Sequence, residues 1–242
     1  MKDFFLFETE LPPESGFRLF GFCHIAWLIV IALFTWLTGK WYVNQTESVR
    51  KKAKHIMGII FPIISIYRDL ILIITGNFNE GFFPLHLCGM ALWIAVLYIW
   101  TGKRFWGVIY VLLCVPGAVG ALFFPDWVVY PFFNYMHIHD FISHGLITAF
   151  GFWLIRSKEV IPEWKEFWMP VVFGIAGFII LPWVNAKLET NYWFLAKPSV
   201  GSPLIWIEKV TGERWYLEGY FLTCVLVVAL WQKVLSRLSR IF

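Results

Sequence analysis

Charge is what this sequence has least of. Only 15% of its 242 residues are Asp, Glu, Lys or Arg, against about a quarter in an ordinary soluble domain. That leaves too little polar surface to cover a globule in water. With 59% of the residues hydrophobic, lipid must be the solvent. The net charge of +4 does not signal nucleic acid, because the bases sit in short loops between apolar runs. Cysteine is scarce too. Cys23, Cys88, Cys114 and Cys224 all fall inside apolar runs, which excludes an extracellular disulfide framework. Also missing are the short alternating segments of a β-barrel and a repeat between halves of the kind found in inverted-repeat transporters. There is no low-complexity linker and no compact metal motif of the H-E-x-x-H kind. The first 20 residues hold no apolar core followed by a small-residue cleavage site, so they do not read as a signal peptide.

What is present is a series of apolar runs, at roughly 19–38, 56–75, 82–100, 104–124, 133–155, 167–185 and 216–236. Each is long enough at ~1.5 Å per residue to cross a ~30 Å hydrocarbon layer. Helices satisfy their own backbone polar groups there. The expected fold is therefore all-α: one polytopic domain over 1–242 with seven transmembrane helices. The loops after spans 1, 3 and 5 and the C-terminal tail carry thirteen bases, from Lys40 to Arg240. The other side carries six: Lys2, Arg18, Lys187, Lys197, Lys209 and Arg214. The positive-inside rule then places the N-terminus outside and the C-terminus in the cytoplasm, in a multi-pass protein of the cell membrane.

Polar residues inside the spans are costly, so each asks for a partner or a function. They gather in the outer halves: His24 in span 1, Arg68 and Asp69 in span 2, His86 and Cys88 in span 3, and His137, His139, Asp140 and His144 in span 5. Asn185 closes span 6 on the same side, and Asp126 lies in the outer loop after span 4. The pattern predicts one hydrated cavity built from spans 1, 2, 3 and 5. Helical phase puts His137, Asp140 and His144 on one face of span 5. On a regular helix His86 and Cys88 stand about 200° apart. A His86–Cys88 dyad is thereby disfavoured, and the base for a nucleophilic Cys88 must come from another span, with His144 or His24 the candidates. Each feature also has a plainer reading. A lone membrane cysteine is usually a small packing residue, and Cys23, Cys114 and Cys224 are read so. A lone buried histidine usually bonds a carbonyl. "CVPGAVGA" reads as close helix packing with a kink at Pro116.

The segment 186–215 is long, aromatic and without obvious regular structure. Such loops are often functional, and this one reads either as a lid over the cavity or as an amphipathic interfacial segment with Lys197 meeting phosphate groups.

A run of short motifs is then met in order: His24, "YRD" in span 2, "PLHLC" at the head of span 3, "FPD" after span 4 and "SHG" in span 5. Asn185, "NYWFL.KP" (Asn191, Tyr192, Lys197) and a "WY" pair before span 7 complete it. With these the chain resembles the YwaF-type bacterial integral membrane family, related to the eukaryotic TMEM164 proteins. The resemblance covers nearly the whole chain. It implies a membrane fold and, from the eukaryotic relatives, phospholipid acyl transfer through an intramembrane cysteine.

Three functions follow as expectations. The first is a lipid acyltransferase or acyl-ester hydrolase at an outer-leaflet cavity, needing no cofactor, with membrane lipids as partners. Cys88 would be the nucleophile and His144, oriented by Asp140, the base. His24, Arg68 or Lys197 would meet a headgroup phosphate, with Asp69, His86, His137, Asn185, Asn191 and Tyr192 as further substrate-binding positions. The second is a non-enzymatic lipid- or small-molecule-binding or transport protein. The third is a zinc-dependent membrane hydrolase using His86, His137 and His144 with Asp140 behind them.

Overall fold

The computed structural model describes residues 3–199 and 201–238; Lys2 and Arg240, counted in the charge asymmetry, lie outside them. Among the described residues the chain is helical without strands. Six helices are long and apolar enough to cross a membrane. They are α1 (Phe22–Val43), α2 (Glu47–Ile74), α4 (Arg104–Phe123), α5 (Tyr135–Arg156), α6 (Trp168–Leu188) and α8 (Tyr216–Leu238). Between them lie α3 (Leu87–Thr101) and the short α7 (Leu204–Thr211). This is a multi-pass membrane protein.

The third apolar run, 82–100, does not become a full-length helix. Pro84 stands near its start, His86 is extended (φ −63°, ψ 147°), and α3 begins only at Leu87. Its 15 residues reach only ~22 Å at the α-helical rise. The opposite happens in α2. The basic stretch after span 1 is not a loop. Thr46 caps the helix by accepting from the Val49 N–H, and Glu47 sits in the first turn, where the helix dipole favours an acid. Lys51, Lys52 and Lys54 therefore lie on the first turns of a 28-residue helix.

In α4 the helix passes through a π-type turn, Tyr110–Cys114, just ahead of Pro116. Such turns free a backbone carbonyl, and here Trp231 Nε1 of α8 donates to the Val111 carbonyl at 2.9 Å. At the cavity end of α5, Asn134 caps the helix through the Met136 N–H and also donates to the Asp3 and Leu6 carbonyls. The N-terminal segment is thereby fastened over the loop before α5. Gly16 is required in that segment, since a Cβ would come 2.1 Å from the Val128 carbonyl oxygen.

At the far end of the bundle, Glu159 accepts from Tyr42 of α1 at 2.7 Å and from Lys54 of α2 at 2.5 Å, with Arg50 at 3.8 Å. Two helices are thereby tied to the segment after α5 through one half-buried carboxylate. Glu159→Ala is expected to cost roughly 1–2 kcal/mol, allowing for solvent screening. A lowered thermal midpoint in detergent, with a smaller deficit for Tyr42→Phe, is the measurement. An unchanged midpoint would remove Glu159 from the account of stability.

Candidate functional site

A cavity of about 580 Å³ opens within the helices, and most of its wall is apolar. Its polar lining brings together Arg68, His86, Cys88, Asp126, Asp140 and His144. These come from the last part of α2, the entry to α3, the loop after α4, and the first half of α5.

His144 is held in a defined state. Its Nδ1 lies 2.7 Å from the Asp140 backbone carbonyl, one turn earlier in α5. A carbonyl only accepts, so Nδ1 carries the hydrogen, and in the neutral ring Nε2 is the nitrogen with the lone pair. The ring stacks on Trp127 with centroids 4.8 Å apart. The partner that fixes His144 is thus the main chain of Asp140. The carboxylate of Asp140 meets His139 Nδ1 instead, at 3.1 Å.

Cys88 is a free, partly accessible thiol in the first turn of α3. The Leu87, Cys88 and Gly89 N–H groups opening that turn have no carbonyl one turn back, and the helix dipole favours negative charge beside them. The Met90 N–H, by contrast, donates to the His86 carbonyl at 2.8 Å. The separation of His86 and Cys88 expected from helical phase does not hold. His86 sits before the helix in extended conformation, so both residues line the same cavity. The His86 ring packs on Tyr192 and Phe194, with centroids at 5.1 and 5.5 Å.

Arg68 lines the cavity but is already paired. Its guanidinium donates to Asp69 Oδ1 at 2.7 and 2.9 Å and to the Phe82 carbonyl at 2.6 Å. Asp69 is outside the lining.

Several other sequence candidates are placed elsewhere. His24 is fully enclosed, Nδ1 accepting from the Phe20 N–H and Nε2 reaching the Leu122 carbonyl at 2.8 Å. His137 accepts from Trp27 Nε1 at 2.9 Å and faces the Tyr130 carbonyl with its other nitrogen. Neither lines the cavity, so α1 contributes aromatic packing rather than wall. With both ring nitrogens of His137 engaged, the set His86, His137, His144 is not assembled. Among the described residues no three His, Cys, Asp or Glu side chains converge as metal ligands.

Asn185, Asn191 and Tyr192 build the loop after α6. Asn185 Oδ1 accepts from the Tyr192 N–H at 2.7 Å and the Thr190 hydroxyl at 3.0 Å, and its amide donates to the Tyr192 carbonyl. Asn191 Oδ1 accepts from Ala196 N–H, and Tyr192 donates its hydroxyl to the Glu80 carbonyl. Lys197 is exposed and outside the lining. The loop turns through two successive left-handed residues, Trp193 and Phe194, both at φ 56°. This is strained for bulky side chains, and both of them line the cavity.

Several contributors to the wall lay beyond the site read from the sequence. Asp126 carried a signal, as an acid beside an apolar run, but Ser199, Ser202 and Cys224 carried none. Asp126 lines the cavity and is exposed to its open space, with the surrounding helices close about it. Desolvation pushes its carboxyl up to about 6; the nearby Asp140 charge adds to the shift and His144 opposes it. A raised acid binds its proton more tightly in the folded than in the unfolded chain. Folding therefore loses stability as pH rises from about 4 through about 6. Asp126→Asn should flatten that stretch of the stability–pH curve and raise the midpoint at pH 7.5. Thermal unfolding of both proteins at pH 5 and 7.5 checks it, and parallel curves would refute it.

A family model described as the TMEM164 family matches residues 19–232. No curated protein and no solved structure matches the chain.

Proposed function

Since the chain belongs to the TMEM164 family, we propose that it is a lipid acyltransferase or acyl-ester hydrolase working from this cavity. In this reading the protein sits in the cell membrane with the N-terminus outside. The 15-residue α3, with the turn before it, makes the seventh crossing, and the loop 186–215 closes the cavity as a lid. The observation that carries the reading is the convergence of a first-turn cysteine and a tautomer-fixed histidine on one largely apolar chamber.

Cys88 gives its thiol proton to His144 Nε2, and the sulfur attacks the ester carbonyl carbon. The oxyanion that forms sits beside the free N–H groups opening α3. As the C–O bond breaks, the imidazolium returns the proton to the departing lysolipid alkoxide. The thioester left on Cys88 is attacked by an acceptor hydroxyl, or by water, whose proton goes to His144. Collapse of the second tetrahedral intermediate expels the Cys88 sulfur, which regains that proton. Arg68, held by Asp69 and Phe82, supplies a fixed positive charge toward the headgroup phosphate. His86 lines the entry beside it.

The purified protein in vesicles, given a phospholipid with a labelled acyl chain and a lysolipid acceptor, should move label to the acceptor or release it as free acid. Lipid binding with no label moved would instead favour the non-enzymatic reading.

A further inference from the structure

The helix α7 has two unlike faces. Leu204 and Ile207 line the cavity. Thr211, on the same side, meets the start of α8, where a Cβ on Gly219 would come 2.5 Å from Thr211 Cγ2 and 3.2 Å from Ile207 Cγ2. On a helix with 100° per residue, Trp206, Lys209 and Val210 face the opposite way. Trp206 is 68% exposed and Val210 85%. Just beyond the helix, Trp215 is 55% exposed.

We propose that this outward face lies in the headgroup layer of the membrane, and that lipid reaches the cavity from the membrane plane along α7 rather than from the water above. Three observations select lipid as the occupant. Lys209 lies over the Trp206 ring at 5.0 Å, and Arg214 over Trp215 at 5.5 Å. A cation riding on an outward tryptophan suits the interface, where the ring stays at headgroup depth and the charge reaches phosphate. The apolar surface also continues downward, because α7 seats on the first turn of α8, whose Leu222, Leu226 and Leu230 form an exposed stripe. Finally, α7 is a single layer between outside and cavity, so a lipid lying against Trp206 is one helix width from the chamber.

The placement of α7 does not depend on the acyl-transfer reading; the statement that substrate passes beside it does. Two measurements separate them. A nitroxide carried by an unnatural amino acid at position 206 or 210, in proteoliposomes, reports depth without using cysteine. Relaxation by dissolved oxygen is expected to match or modestly exceed relaxation by a water-soluble nickel chelate, the balance found at the headgroup–acyl boundary. Greater access to nickel, or access to neither reagent with chain-to-chain spin coupling, overturns the placement. In the second measurement, Trp206→Glu should slow turnover of vesicle phospholipid about tenfold while a short-chain soluble ester is turned over within twofold of the parent rate. Equal losses on both substrates, or no loss on either, overturn the entry route. A parent protein inactive on both substrates fails the acyl-transfer reading and leaves the depth result standing.

Discussion

Cys88→Ala is expected to reduce acyl transfer to background while leaving the fold and bound lipid unchanged. The side chain is one small group in the first turn of α3, partly open to the cavity. Its loss opens no enclosed core position, so a stability defect is not expected to mask the result. If it is the nucleophile, its removal deletes the bond that forms first. His144→Ala should lower the rate by about 10²–10⁴-fold, the range for a positioned general base. The two variants differ in a way that a structural role does not reproduce. An acyl group trapped on the parent should be released by hydroxylamine and map to Cys88. It should accumulate slowly in His144→Ala and not at all in Cys88→Ala. Because Asp140 holds His144 through its backbone carbonyl, Asp140→Asn should preserve the tautomer and much of the rate, whereas an orienting carboxylate would require a large loss. Full turnover by Cys88→Ala removes the covalent cysteine route altogether.

The helical bundle was legible because hydropathy and length act locally; α1, α5 and α8 fall close to the apolar runs that announce them. The cavity was legible only in part. Helical phase correctly gives His137 and His144 nearly the same direction around α5, yet only His144 lines the chamber. Seven residues separate the two by ~10 Å along the axis, and at the height of His137 the neighbour is Trp27 of α1 rather than open space. Direction is written in spacing; what stands opposite at a given height is not. At His86 the helical phase misleads for a different reason: it presumes a helix already running through His86, whereas α3 begins only at Leu87. The share of the wall from α8 could not be read at all. Cys224 and its neighbours there belong to an ordinary apolar run, and only packing decides which side meets the cavity. The same holds for Asn185, where the residue type announces a hydrogen-bonding role but not whether its partner is a ligand or the chain itself.

Asn185 provides the second large effect, since its partners are now specific. Its side chain makes three hydrogen bonds with the loop that follows α6, accepting two and donating one, and two of them are with the main chain of Tyr192. The next residue, Trp193, donates to the Leu85 carbonyl at 2.9 Å, directly before His86 and the start of α3. The amide thus holds a strained turn, and the turn holds the segment that carries Cys88. Asn185→Ala leaves the buried Tyr192 N–H unpaired, at about 1–3 kcal/mol, while the Tyr192 carbonyl keeps the Leu195 N–H at 3.3 Å. The left-handed Trp193 and Phe194 then lose the bonds that offset their strain. Turnover is expected to fall about 10²-fold, as for a misplacement near 1 Å at the reacting centre, together with faster proteolysis within 189–203. Asn185→Asp keeps the acceptor for the Tyr192 N–H and the Thr190 hydroxyl but sets a second oxygen against the Tyr192 carbonyl, so it too should lower turnover and speed proteolysis in step. A residue that touched substrate directly would behave otherwise: Asn185→Ala would raise KM with the loop as protease-resistant as before. Rate and proteolysis moving together through the series is the signature of a side chain that acts by holding the wall in place.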